Sequence, residues 1–223
     1  MRELAQGLWH WKAPHPDWRP GEPWDRSVSS YATDDGGRLL LVDPLAPPAG
    51  LERLAAERET AVVLTAPWHE RDTRRLVERL GVPVYTPLPD TAEYLVETYG
   101  LTAEQAGGGS PDLVWLLQEG IGEARPYTAG DRLDVGVETF PGQKPNDAVL
   151  WVESQRSVVS GDTLVDFGRG LELNARWLDR QGIARDRVVE GLRPLLELPV
   201  EHVLATHGGP FERAALERAL SSP

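Results

Sequence analysis

Four turn-rich segments hold the candidate residues for acid–base or metal chemistry. They are Thr65-Ala66-Pro67-Trp68-His69-Glu70-Arg71-Asp72, Pro141-Gly142-Gln143-Lys144-Pro145-Asn146-Asp147, Ser160-Gly161-Asp162-Thr163-Leu164 and Thr206-His207-Gly208-Gly209-Pro210. Histidine nitrogens and carboxylate oxygens are donors that zinc accepts at about 2.0–2.2 Å, normally three or four per ion. His69, Glu70, Asp162 and His207 offer such donors. Arg71 does not, because a guanidinium stays protonated. Gln143 completes the candidate set. Asp162 and His207 also form a possible carboxylate–base pair, but no serine stands beside them as an evident nucleophile. The absence of cysteine excludes disulfides, thiolate zinc sites and cysteine nucleophiles.

Each candidate also has a plainer reading. Asp162 follows a glycine and fits a turn-capping carboxylate. His207 fits a residue that orients the Gly208-Gly209 turn, and His69 an exposed loop histidine. Glu70 suits the positive end of the helix that follows it, and Arg71 could point to solvent from that helix. Gln143 and Lys144 read as solvated loop residues where no ligand binds. His10, His15 and Asp17 have no recognised ligand spacing. They lie among Trp9, Trp11, Trp18 and Trp24, which either line a pocket mouth or pack the N-terminal segment onto the body of the protein.

The elements that must position these groups follow from hydrophobic periodicity. Strands are predicted over 28–32, 38–42, 61–65, 82–85, 133–140, 148–152, 157–160 and 202–206, with a hairpin signal at Asp34-Asp35-Gly36-Gly37. Helices are predicted over 50–59, 72–80, 174–180, 185–196 and 211–220, and helical pieces within 91–120. Pro83 suggests an irregular or edge position for its strand. Alternating strands and helices indicate an α/β fold, and the candidate turns all follow strands, where functional groups of such folds collect. The chain reads as one domain, residues 1–223, with halves dividing near the Gly107–Pro111 break.

The 223 residues suffice for a sizeable core. A formal net charge of -12 argues against nucleic acid as a partner. No stretch approaches the roughly 20 apolar residues of a membrane span, and Met1-Arg2-Glu3-Leu4 lacks the apolar run expected of a signal peptide. A cytoplasmic protein with a small-molecule ligand is the expectation. A homo-oligomer is compatible with the sequence but not inferable from it.

In this order and spacing the Pro-Gly turn, the Ser-Gly-Asp-Thr turn and the late Thr-His-Gly resemble the metallo-beta-lactamase superfamily, which includes glyoxalase II-like thioesterases. The likeness runs from about residue 28 to the C-terminus. It implies a four-layer αββα sandwich of two mixed sheets flanked by helices, with the site at one edge. The departures are as informative. The family's first motif is Thr followed by His-x-His-x-Asp-His, and an ungapped match from Thr65 places those four positions on Ala66, Trp68, Glu70 and Arg71. The histidine of its Pro-Gly-His motif is Gln143 here. Asp162 matches the bridging aspartate and His207 the last histidine. By this resemblance the first ion's site is lost, and Glu70, Asp162 and His207 remain as a remnant of the second. His69 falls between ligand positions, and a one-residue shift would bring it inward. The first expectation is therefore a metal-free, non-hydrolytic protein that binds a small molecule or a protein, with no cofactor. The alternative is an ester or thioester hydrolase using one zinc, manganese or iron ion. In the metal-free case Arg71 is expected to replace the missing charge by pairing with Asp162 or Glu70.

Overall fold

The computed structural model describes residues 1–100, 102–106 and 122–221. The expected break at Gly107–Pro111 lies outside them. One sheet has seven strands in sequential order: β1 (Arg2–Ala5), β2 (Leu8–Pro14), β3 (Ser27–Asp34), β4 (Arg38–Val42), β5 (Glu59–Val63), β6 (Val84–Pro87) and β7 (Ala124–Tyr127). Pairing is antiparallel from β1 to β4 and parallel from β4 to β7.

The second sheet is built from β8 (Arg132–Leu133), β9 (Val137–Pro141), β10 (Ala148–Val152), β11 (Ser157–Val159), β14 (His202–Leu204) and β15 (Pro210–Glu212). Its order is β15-β14-β11-β10-β9-β8, with one parallel pair, β11 and β14. Between β11 and β14 a small hairpin joins β12 (Leu164–Val165) to β13 (Glu172–Leu173).

Side-chain alternation creates the layers. Leu40 and Val42 of β4 face Ala148, Leu150 and Val152 of β10 between the sheets. Their neighbours Leu39 and Leu41 turn outward onto α1 (Ala49–Glu57) and α2 (Thr73–Leu80), through Leu51, Ala55, Leu76 and Val77. On the other side Val149 and Trp151 meet α5 (Ala175–Gln181), α6 (Arg185–Leu192) and α7 (Arg213–Ser221). Two further helices, α3 (Ala92–Tyr99) and α4 (Ala103–Ala106), follow β6. A strand buried on both faces reads as a continuous apolar run, and each such side chain contributes about 1.5–3 kcal/mol by its burial. The result is the α/β, four-layer αββα arrangement that the sequence implied. Among the described residues no helix is long and apolar enough to cross a membrane.

Several boundaries differ from the sequence reading. The N-terminal segment forms β1 and β2, which pattern reading missed because Trp9, Lys12 and His10 interrupt the alternation. Pro83 precedes β6 rather than lying in it, so its missing N–H costs no ladder bond and β6 sits inside the sheet. The edge on that side of the sheet is β7, whose Ala-Arg-Pro-Tyr sequence gave no strand signal. The predicted 133–140 strand is interrupted at Gly136, with φ +77°. Pro194 ends α6 at Leu192, and a 3-10 turn continues to Glu197. Residues 210–212 pair with β14 before the last helix begins.

Candidate metal centre

The four polar segments lie at one edge of the sandwich, and hydrogen bonds across the sheets tie them together. Ala148 N–H donates to Thr65 O (2.8 Å), Ser29 N–H to Thr206 O (2.8 Å), and Thr206 Oγ1 to Gly161 O (2.7 Å). Two glycines permit the close approach. A Cβ on Gly142 would lie 2.1 Å from Asp147 O, and one on Gly161, at φ +54°, would lie 2.8 Å from Asp147 Oδ1.

At this edge His69, Asp162 and His207 converge. His69 Nε2 is 3.3 Å and His207 Nε2 3.2 Å from Asp162 Oδ1. Oδ1 is nonetheless buried without a hydrogen-bond partner. The other oxygen, Oδ2, accepts the Trp68 Nε1–H at 2.8 Å. The Asp162 carbonyl accepts from Gln143 Nε2 (3.0 Å) and Asn174 Nδ2 (3.1 Å).

Behind His69 stands Asp43, fully buried at the end of β4. It accepts Thr65 N–H at 2.9 Å and Thr65 Oγ1–H at 2.7 Å. His69 Nδ1 is 3.0 Å from Asp43 Oδ2 and 2.8 Å from Thr65 Oγ1. A carboxylate only accepts, so Nδ1 carries a proton toward Asp43, and Nε2 faces Asp162.

Charge is concentrated here. Burial acts to lower the pKa of His69, but Asp162 and Asp43 outweigh it and push it up to about 9. Burial acts to raise Asp162, and His69 and His207 hold it well below the carboxylate range instead. Burial opposes and His69 favours the charged form of Asp43, and the balance lies below its usual value. Burial and the neighbouring Asp162 charge push Asp147 up to about 7, although Thr163 Oγ1 donates to it at 2.6 Å.

The sequence candidates divide. His69 is buried, not an exposed loop residue, because the 3-10 turn Pro67–His69 swings it inward. It takes the position expected of Glu70, which borders a separate small pocket with Asp72. Asp72, not Glu70, occupies the N-cap position of α2. Arg71 does not point to solvent; among the described residues no ion pair within 4 Å joins it to Asp162, though the two charges attract. At φ +47° its Nη1 turns back to Ser29 O (3.0 Å) and Asp43 O (2.7 Å). Gln143 and Lys144 are both buried rather than solvated. Asp162 caps no backbone N–H among the described residues, and Gly208, at φ +124°, makes the turn that His207 was expected to orient.

Asp43, Trp68 and Asp147 were not candidates. The available signal for Asp43 was an acidic residue ending an apolar strand. A half-open cavity of about 520 Å³ covers the centre, walled by Trp24, Trp68, Phe167 and Trp177 with Arg176 at its rim. Of the N-terminal tryptophans only Trp24 lines it, edge-on to His207 at 5.3 Å. Trp11 is core, with its Nε1–H on Leu45 O.

No protein-family model matches the chain, and no curated protein matches it by sequence. Solved structures do. A metallo beta lactamase from Erythrobacter litoralis, solved with beta mercaptoethanol in its active site, is 14% identical over 98% of this chain and 93% of its own, with a TM-score of 0.61. A metallo-beta-lactamase family protein from Thermus thermophilus is 18% identical over 98% of this chain and 78% of its own (TM-score 0.57). A protein solved in a di-iron-bound form is 24% identical over 86% of this chain and 93% of its own (TM-score 0.54). The chain thus has the metallo-beta-lactamase fold.

Proposed function

We propose that His69, Asp162 and His207 hold a single divalent ion, zinc, manganese or iron, and that the protein is a one-metal hydrolase of esters or thioesters. The observation that carries this reading is the convergence of two Nε2 atoms on a buried carboxylate oxygen that has no hydrogen bond. A buried polar atom without a partner is costly. Donors about 2.0–2.1 Å from one zinc in tetrahedral array lie about 3.3–3.4 Å apart, close to the 3.3 and 3.2 Å seen here. A second ion finds no ligand set among the described residues, since Ala66, Trp68 and Gln143 occupy the positions where the family resemblance places one.

A divalent ion there would act as a Lewis acid toward a carbonyl and toward water. The protein's own groups do the rest. Asp43 keeps the proton on His69 Nδ1 and so presents Nε2, the usual arrangement behind a ligating histidine. Trp68 holds Asp162 by Oδ2 and leaves Oδ1 facing the histidines. The aromatic walls exclude water from one side of the cavity and offer an apolar surface to an acyl or leaving group. The test is turnover of a panel of aryl esters and acyl thioesters by zinc-, manganese- and iron-loaded protein. Turnover that depends on the added metal and disappears in His207→Ala supports the reading; no turnover with any metal contradicts it.

A further inference from the structure

Asp43, Asp147 and Asp162 are all buried. The Arg71 charge acts on Asp43 and Asp162 while its Nη1 donates to two carbonyls. A second buried cation, Lys144, stands against the Trp68 ring. Its side chain is 3% exposed, and its Nζ is 3.1 Å from Asp90 Oδ2. Asp90 is fixed in turn by Asn146 Nδ2 (2.6 Å). The same Nζ lies 4.3 Å from the centre of the Trp68 ring, 5.6 Å from that of Trp177 and 5.7 Å from that of Tyr94. Trp68 is the residue whose N–H reaches Asp162 Oδ2.

We infer that Lys144 and Trp68 form a built-in cationic relay that takes the place of a second metal ion on Asp162. An ammonium over an indole face is attracted to the ring. It also draws electron density toward itself, so the indole N–H becomes a stronger donor, as in other polarised chains of buried polar groups. Asp162 then has one oxygen fixed by the relay and the other free for an ion held with His69 and His207. Gln143 acts in the same sense, since it too donates an N–H to Asp162, at the carbonyl. Trp68 and Lys144 are therefore positioning residues. The relay's effect on metal uptake rests on the one-metal reading above, whereas the relay itself is present in the metal-free protein.

The experiment separates the two. In metal-free protein the Trp68 indole resonance, assigned by its loss in Trp68→Phe, is followed in nitrogen–proton correlation spectra. It is expected to be protected from exchange and to move upfield in Lys144→Met and in Asp162→Asn, while Lys144→Arg keeps it near the wild-type position. Zinc affinity, from competition with a chromophoric chelator, is expected to fall about 10–100-fold in Trp68→Phe. It should fall less in Lys144→Met, and no further when Lys144→Met is added to Trp68→Phe. If wild type takes up no zinc but the indole still responds to Lys144 and Asp162, the relay stands and the one-metal reading fails. An indole signal indifferent to both Lys144→Met and Asp162→Asn, or effects of Lys144→Met undiminished in the Trp68→Phe background, would overturn the relay.

Discussion

Replacing Asp43 by asparagine isolates the charge behind His69. Asp43 sits at φ +45°, a conformation asparagine tolerates, so the backbone is not the cause of any effect. In metal-free protein a rise in the His69 pKa from 6.5 to about 9 is worth about 3 kcal/mol of stability. Asp162 and Asp43 supply it together against the cost of burial. The sign is that of a raised folded pKa: the contribution is complete below pH 6.5 and is lost as the pH rises through about 9. Asp43→Asn removes the Asp43 share and leaves one of the donors of Thr65 and His69 without an acceptor, a further cost of about 1–3 kcal/mol. The expected total is about 3 kcal/mol at about pH 6.5, shrinking to about 1–2 kcal/mol at about pH 10, where His69 is neutral in wild type as well. Urea unfolding of chelator-treated protein at the two pH values gives both numbers. A cost within about 0.5 kcal/mol of zero, or one that does not change between the two pH values, would refute the reasoning.

Glu70→Ala is expected to leave zinc affinity within about twofold, because on the one-metal reading its neighbour His69 is the ligand; a loss comparable to that of His69→Ala in the chelator competition would restore the ungapped motif match. Arg71→Ala should cost about 2–4 kcal/mol in urea unfolding, since it strips the donor from two carbonyls and leaves alanine at φ +47°, and a surface-like cost would show that Arg71 does not bind the strand ends together. Gly142→Ala places a Cβ 2.1 Å from Asp147 O and 2.5 Å from Thr163 Oγ1; thermal unfolding should report a loss of about 2–3 kcal/mol.

What the sequence made legible was whatever leaves a local pattern. The buried runs at β4, β5 and β10 alternate or saturate with apolar residues, and the turns after them announce the edge where the site lies. Asp162 and His207 were readable because short turn motifs surround them. Glu70 was preferred to His69 because an ungapped match assumes a constant turn geometry. The 3-10 turn that starts at Pro67, and the left-handed Arg71 after it, turn the preceding position, His69, inward, and neither feature is visible in residue spacing. Lys144 looked solvated for a similar reason. Its cover comes from Trp68, Tyr94, Trp177 and Asp90, which lie far away in the chain, and burial by distant partners has no local signature. Asp43 was passed over because an Asp-Pro pair after a strand also reads as a plain stop signal.

Metal content measures the central claim most directly. Untagged protein, purified in turn with zinc, manganese and iron present and then dialysed, is analysed for elements alongside His69→Ala, Asp162→Ala and His207→Ala. The account predicts about one ion per chain of at least one of these metals in wild type, and near none in each variant, with the variants still folded by circular dichroism. Wild type without metal under all three conditions, two ions per chain, or an ion retained when His69 is removed would contradict it.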